Sequence, residues 1–181
     1  MSSNEHVAAT TASPAMTPLK GAGVVVLIAL GVAGYLGLTY SQGVVEEAWS
    51  GFLLLLYWAG IEQLNPEKLK AVLVGAFVGL STAALLFLLP AWLGPLGQLA
   101  FLGVIIALVY CQVMGWLLTA VNMTTMLFLT VGTIPLIQTQ ASAGYFIGVF
   151  HALVLAIIYF GSLIGAGFWL AQRLKRTPLP E

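Results

Sequence analysis

Six apolar stretches, separated by short breaks rich in polar residues, glycine and proline, organise this chain. A helix that crosses the hydrocarbon core of a bilayer needs about 20 mostly apolar residues, each adding about 1.5 Å. The pattern predicts an all-α membrane helix bundle with crossings over residues 21–40, 49–64, 66–92, 97–118, 122–138 and 143–172. The second and fifth are short for the task.

The breaks have local causes. Ser41, Gln42 and Gly43, followed by Glu46 and Glu47, end the first crossing. Asn65-Pro66-Glu67 reads as a helix start: asparagine caps, proline suits the first helical position, and glutamate faces the positive end of the dipole. Pro90, Gly94 and Pro95 bracket the third turn, and Gln138-Thr139-Gln140 with Ser142 and Gly144 marks the last. Around residues 119–122 a tight turn and a continuous kinked helix both fit.

Composition makes the solvent lipid. Of 181 residues, 60% are hydrophobic and 7% charged, whereas a soluble domain carries about 25% charged residues to build its polar skin. A formal net charge of zero argues against a nucleic-acid partner, which asks for a basic face. The single cysteine, Cys111, excludes a disulfide within the chain. Residues 1–19, dominated by Ser, Thr, Ala and Pro, read as a disordered tail. The apolar run after Lys20 is too long for a cleaved signal peptide and lacks a small-x-small site, so an uncleaved first helix is expected.

The cations set the expected topology. With six crossings and the N-terminus inside, Lys20, Lys68, Lys70, Arg173, Lys175 and Arg176 all fall on the cytoplasmic side, as the positive-inside bias requires. Trp49 and Trp92 then lie at outer ends, and Trp58, Trp116 and Trp169 near inner ends, where interfacial anchors belong. The expected organisation is a tail at 1–19, a transmembrane domain at 20–172 with halves 20–93 and 94–172, and a basic cytoplasmic tail at 173–181.

Sliding the chain by 73 positions sets Ala71, Gly75 and Gly79 against Gly144, Gly148 and Ala152, and Phe77 against Phe150. Each ladder, at spacing four, lines one helix face and permits close backbone approach. Chance coincidence of a common packing device competes with a true repeat. Because three helices is an odd number, a second copy would enter the membrane upside down, giving an inverted 3+3 repeat of the kind found in transporters.

The same offset pairs the two short segments: Ala59-Gly60 meets Gly132-Thr133, and Glu62 meets Pro135. Short or Gly/Pro-interrupted segments at matching places in two halves point to a transport site. Thr125 and Thr133 trace part of one face of the fifth helix, where cavity lining and threonine bonding back to its own helix both fit. His151 is the one ionisable side chain well inside a crossing. It reads either as a neutral imidazole bonded to a neighbouring helix or as a gate, proton relay or solute contact. Gly60, Glu62, Thr125, Gly132, Thr133, Pro135 and His151 are thus the candidate pathway residues. Glu62 also reads as an interface carboxylate near Lys68 or Lys70.

No HExxH, nucleotide-binding glycine loop, CxxC or paired-histidine set occurs, and aspartate is absent. No catalytic constellation, metal or cofactor is expected, and an enzyme is disfavoured.

Trp49-Ser50-Gly51-Phe52 with Tyr57, Leu69-Lys70, Gly75-xxx-Gly79 and Gly167-Phe168-Trp169-Leu170-Ala171 carry a resemblance over residues 49–173. In these the chain resembles small bacterial inner-membrane proteins grouped as a domain of unknown function. The family carries Pro-Gly near the start of the fifth helix, where this chain has Asn122-Met123. The resemblance implies a multi-spanning inner-membrane protein and no activity. The expected function is a channel or facilitator for a small solute, with lipid and further copies of the chain as partners. The competing reading is a non-catalytic membrane subunit of a larger complex.

Overall fold

A computed structural model describes residues 18–176, and no strand occurs among them. The expected tail at 1–19 falls outside the described residues up to residue 17, as do residues 177–181 of the basic tail. The described residues form two compact units, one ending at Gly34 and one beginning at Tyr35. The first is the leading part of helix α1 (Pro18–Ser41), and the second holds the end of α1 and every later element.

Those elements are α2 (Trp49–Leu55), continued by a π-helical turn (Leu56–Ile61), α3 (Pro66–Leu93), α4 (Leu96–Val113), α5 (Met123–Gly132), α6 (Pro135–Thr139) and α7 (Ala143–Arg176). Four helices are long and apolar enough to cross a membrane: Gly21–Ser41, Pro66–Leu93, Leu96–Val113 and Ala143–Leu170. Trp49–Ile61 and Met123–Gly132 are apolar but shorter. At a rise of about 1.5 Å per residue they reach roughly 20 Å and 15 Å, short of a core about 30 Å thick.

Several boundaries differ from the sequence expectation; the second helix ends at Ile61 rather than at 64. The fourth helix ends at Val113 rather than near 118, because Gly115 (φ 66°) and Leu117 (φ 54°) take left-handed backbone that a helix cannot contain. Turn hydrogen bonds then carry the chain to Asn122, with Trp116 N–H donating to Cys111 O at 2.8 Å and Val121 N–H to Leu117 O at 2.8 Å. A break, not a kinked continuation, separates the fourth and fifth helices. The fifth is itself two pieces, since Pro135 has no amide hydrogen and restarts the chain as α6. The last helix runs on to Arg176, so residues 173–176 belong to it.

The predicted start of the third helix is present. Asn65 Oδ1 accepts from Glu67 N–H at 2.9 Å, and Pro66 occupies the first turn. Pro90 is tolerated inside α3, and Gly94 (φ 59°) ends it by donating to Pro90 O at 2.9 Å. A close hairpin follows, in which Gly97 lies against the Leu89 carbonyl where no Cβ would fit.

Within the second unit α3 packs against α5 and α4, and α2 packs against α7. The core holds Leu54, Tyr57, Val72, Leu80, Phe128 and Leu153. Along α3 and α5 the contacts advance together: Gly75 faces the Asn122 side chain, Gly79 faces Thr125 O and Phe128, and Gly132 faces Ala83. The two helices therefore run parallel. The α2–α7 pair does the same, from Trp49 Nε1 donating to Tyr145 Oη at 3.2 Å, through Ser50 Oγ donating to Val149 O at 3.1 Å, to Gly51 against Ala156.

The small-residue ladders divide unequally. Gly75 and Gly79 are close-approach sites on α3, beside half-buried Ala71. On α7, Gly148 lies against the Glu47 carboxylate and Ala152 is fully buried. Gly144 is exposed, with only Ser142 Oγ within reach at 3.8 Å, so the α7 ladder makes its contacts from Gly148 onward.

Candidate functional site

The irregular ends of α2 and the first turns of α5 face each other. Helix α2 widens at Leu56–Ile61 into a π turn, in which Glu62 N–H reaches back to Tyr57 O at 3.1 Å. Gln63 (φ 51°) and Leu64 (φ 58°) then reverse the chain in left-handed backbone. Two consecutive non-glycine residues in that region store strain, held here by Leu64 N–H to Trp58 O (2.9 Å) and Trp58 Nε1 to Asn65 O (3.2 Å). π turns within helices concentrate at functional sites.

Beside this turn lies an open groove of about 280 Å³, lined by Tyr57, Ile61, Met123, Met126, Leu127 and Thr130. Among the lining residues, Tyr57 and Thr130 carry hydroxyls. Tyr57 Oη also donates to Glu62 Oε1 at 3.4 Å, tying the half-buried carboxylate to the groove. Gly60, on the same turn, is exposed.

The threonines of the fifth helix bond locally. Thr125 is fully buried, donates to Ala120 O at 2.6 Å and accepts from Asn122 N–H at 3.2 Å, completing a capping box. Thr133 Oγ1 donates to Leu129 O (2.9 Å) and Thr130 O (3.0 Å) of its own helix. Gly132 is buried against Ala83, and its carbonyl accepts from Gln138 Nε2 at 2.6 Å. The Gly132 carbonyl, left at the end of α5, is thereby satisfied by a side chain. Pro135 and His151 are both exposed. Of the candidate pathway residues the structure brings Glu62 to the groove through Tyr57, gathers Gly132 and Thr133 at the α5 break, and leaves His151 elsewhere on α7.

Residues that sequence reasoning passed over join these parts. Asn122 Oδ1 accepts from Thr124 N–H (2.9 Å) and Thr125 N–H (3.3 Å), while its Nδ2 donates to Ala71 O (2.9 Å) on α3. The Asn-x-x-Thr spacing could have announced this cap. Tyr35 is fully buried and donates to Ala152 O at 3.0 Å. Among the described residues, no three His, Cys, Asp or Glu side chains gather as a metal ion would require. No known family model matches the chain, and no curated protein or solved structure matches it.

Proposed function

We propose that the protein is a facilitator for a small neutral or weakly ionic solute, crossing a bacterial inner membrane six times as two inverted three-helix halves with both termini cytoplasmic. One observation carries this reading: the groove lies where the short helix α2 departs from regular geometry and faces the first turns of the short helix α5. Irregular backbone at membrane depth is tolerated only where it faces protein or a wet cavity. Interrupted helices at matching places in two halves mark transport sites.

The lining argues for an uncharged solute. A water takes about 30 Å³ of liquid volume, so a groove of about 280 Å³ holds a solute of a few heavy atoms with some of its water. Two hydroxyls orient it, and apolar walls offer an ion nothing in exchange for its hydration shell. Glu62, already accepting from Tyr57, sits at the margin rather than across the path.

Matched contacts support mirrored halves. The start of α5 rests on Gly75 of α3 through Asn122, and the chain just before α2 rests on Gly148 of α7 through Glu47. Gly75 and Gly148 are counterparts in the alignment. Ala83 and Ala156, also 73 positions apart, each receive a glycine, Gly132 and Gly51. Each parallel pair, α3 with α5 and α7 with α2, thus joins the long helix of one half to the short helix of the other.

The test is reconstitution into liposomes, with stopped-flow light scattering over a panel of urea, ammonia, glycerol and short organic acids. The expected result is faster flux than in empty vesicles for at least one neutral solute, lost in Met126→Trp, which fills the groove. No acceleration for any solute would overturn the reading.

A further inference from the structure

Helix α7 buries one face and leaves another bare. Phe146, Val149, Ala152, Leu153 and Ala156 are buried, whereas Gly144, Ile147, His151, Val154 and Ile158 are exposed. The exposed positions alternate at three and four residues, the 3.5-residue repeat that keeps one seam turned towards a partner helix in a left-handed pair.

Four of these five residues suit lipid. His151 does not. Eight residues into α7, it lies about 12 Å along the helix, and its ring makes no hydrogen bond among the described residues. A polar group left without a partner in hydrocarbon is costly. Something complementary to an imidazole therefore covers this seam.

The geometry points to a second copy of this chain as the occupant. Helix α7 pairs with α7 of another protomer about a two-fold axis along the membrane normal, with the two His151 rings facing across it. A neutral imidazole carries one N–H donor and one bare-nitrogen acceptor, so it is complementary to itself. A two-fold axis sets identical residues opposite one another. This interface does not depend on the facilitator reading.

The test uses the full chain in its native membrane with Cys111→Ser as background. Single cysteines replace Ile147, His151, Val154 and Ile158 on the seam, and Phe150 and Ile157 beside it, followed by mild oxidation. A disulfide-linked dimer at the seam positions and little at the two controls is the expected result. Equal cross-linking at all six, or none at the seam, would overturn the pairing. So would a seam occupied by residues 18–34 of the same chain or by a different protein, which a second cysteine in α1 and the mass of the product would reveal.

A second readout isolates the histidine. In detergent, His151→Leu should weaken dimerisation about 3- to 15-fold, the range of hydrogen bonds between membrane helices. His151→Asn, which keeps a donor and an acceptor, should restore most of it. Equal weakening in both would remove the imidazole pair from the interface.

Discussion

Phe77 of α3 and Phe150 of α7 stack with ring centroids 6.0 Å apart and planes 9° from parallel, and they are counterparts in the 73-residue alignment. In an object with an approximate two-fold axis, matched residues touch only where the axis passes. This pair therefore sits where mirrored halves would have their centre. Its stacking should contribute about 0.5–1.5 kcal/mol beyond the area buried. A double-mutant cycle with Phe77→Ala and Phe150→Ala, followed by unfolding in mixed micelles, is expected to show coupling of about 1 kcal/mol. Strict additivity would mean the rings lie side by side without interacting.

Glycines in the ladders should differ sharply in their tolerance of a methyl group. At Gly79 a Cβ would meet the Thr125 carbonyl, and at Gly132 it would lie 2.5 Å from Ala83 Cβ. Gly79→Ala and Gly132→Ala should each lose about 1–3 kcal/mol through overpacking. At Gly144 nothing lies closer than 3.8 Å, so Gly144→Ala should be neutral or gain up to about 1 kcal/mol from helix propensity. Thermal unfolding of the three variants in one detergent decides it. Equal losses would show that glycine's value here is not close approach.

How far the chain could be read in advance follows from which physical forces leave a mark on sequence. Asn65-Pro66-Glu67 was legible because capping, φ restriction and the dipole each favour a specific residue type. The end of α4 was not. Trp116, Leu117 and Leu118 keep the hydropathy high through a turn, and lipid accepts apolar side chains whether the backbone beneath is helical or not. The same indifference hid the exposed seam of α7, since interior and lipid-facing positions are both apolar. His151 was conspicuous, but its direction depends on helix rotation, which a nearly uniform apolar sequence does not encode. The π turn also left no trace, because it changes hydrogen-bond spacing without changing composition.

Six crossings and four make opposite predictions for one loop. If α2 and α5 cross, Gln63 and the lysines Lys68 and Lys70 face the cytoplasm. If the two short helices dip in and return, that loop lies outside, while the termini still share one side. Membrane-impermeant maleimide on intact cells, with Cys111→Ser as background, separates the cases. Gln42→Cys should label, and Ser3→Cys and Gln63→Cys should label only after permeabilisation. Labelling of Gln63→Cys in intact cells would reduce the fold to four crossings and remove the mirrored topology.

Asn122 offers the sharpest test of how α5 is held, because its two side-chain atoms have separate tasks. Oδ1 caps α5 by accepting from Thr124 and Thr125 N–H, and Nδ2 donates to Ala71 O on α3 and to Leu118 O and Thr119 O in the preceding turn. Asn122→Ala removes both and should cost about 1–3 kcal/mol, from a lost cap and an unmet carbonyl. Asn122→Ser keeps a capping oxygen and should fall between. Asn122→Asp is the informative variant. At the start of an ordinary helix aspartate caps as well as asparagine and suits the dipole, but here it would turn a carboxylate oxygen towards three carbonyls. Thermal unfolding should therefore rank Asn above Ser and Ser above Asp. An aspartate variant as stable as the parent would mean that the capping oxygen alone matters and that the bond to α3 contributes nothing.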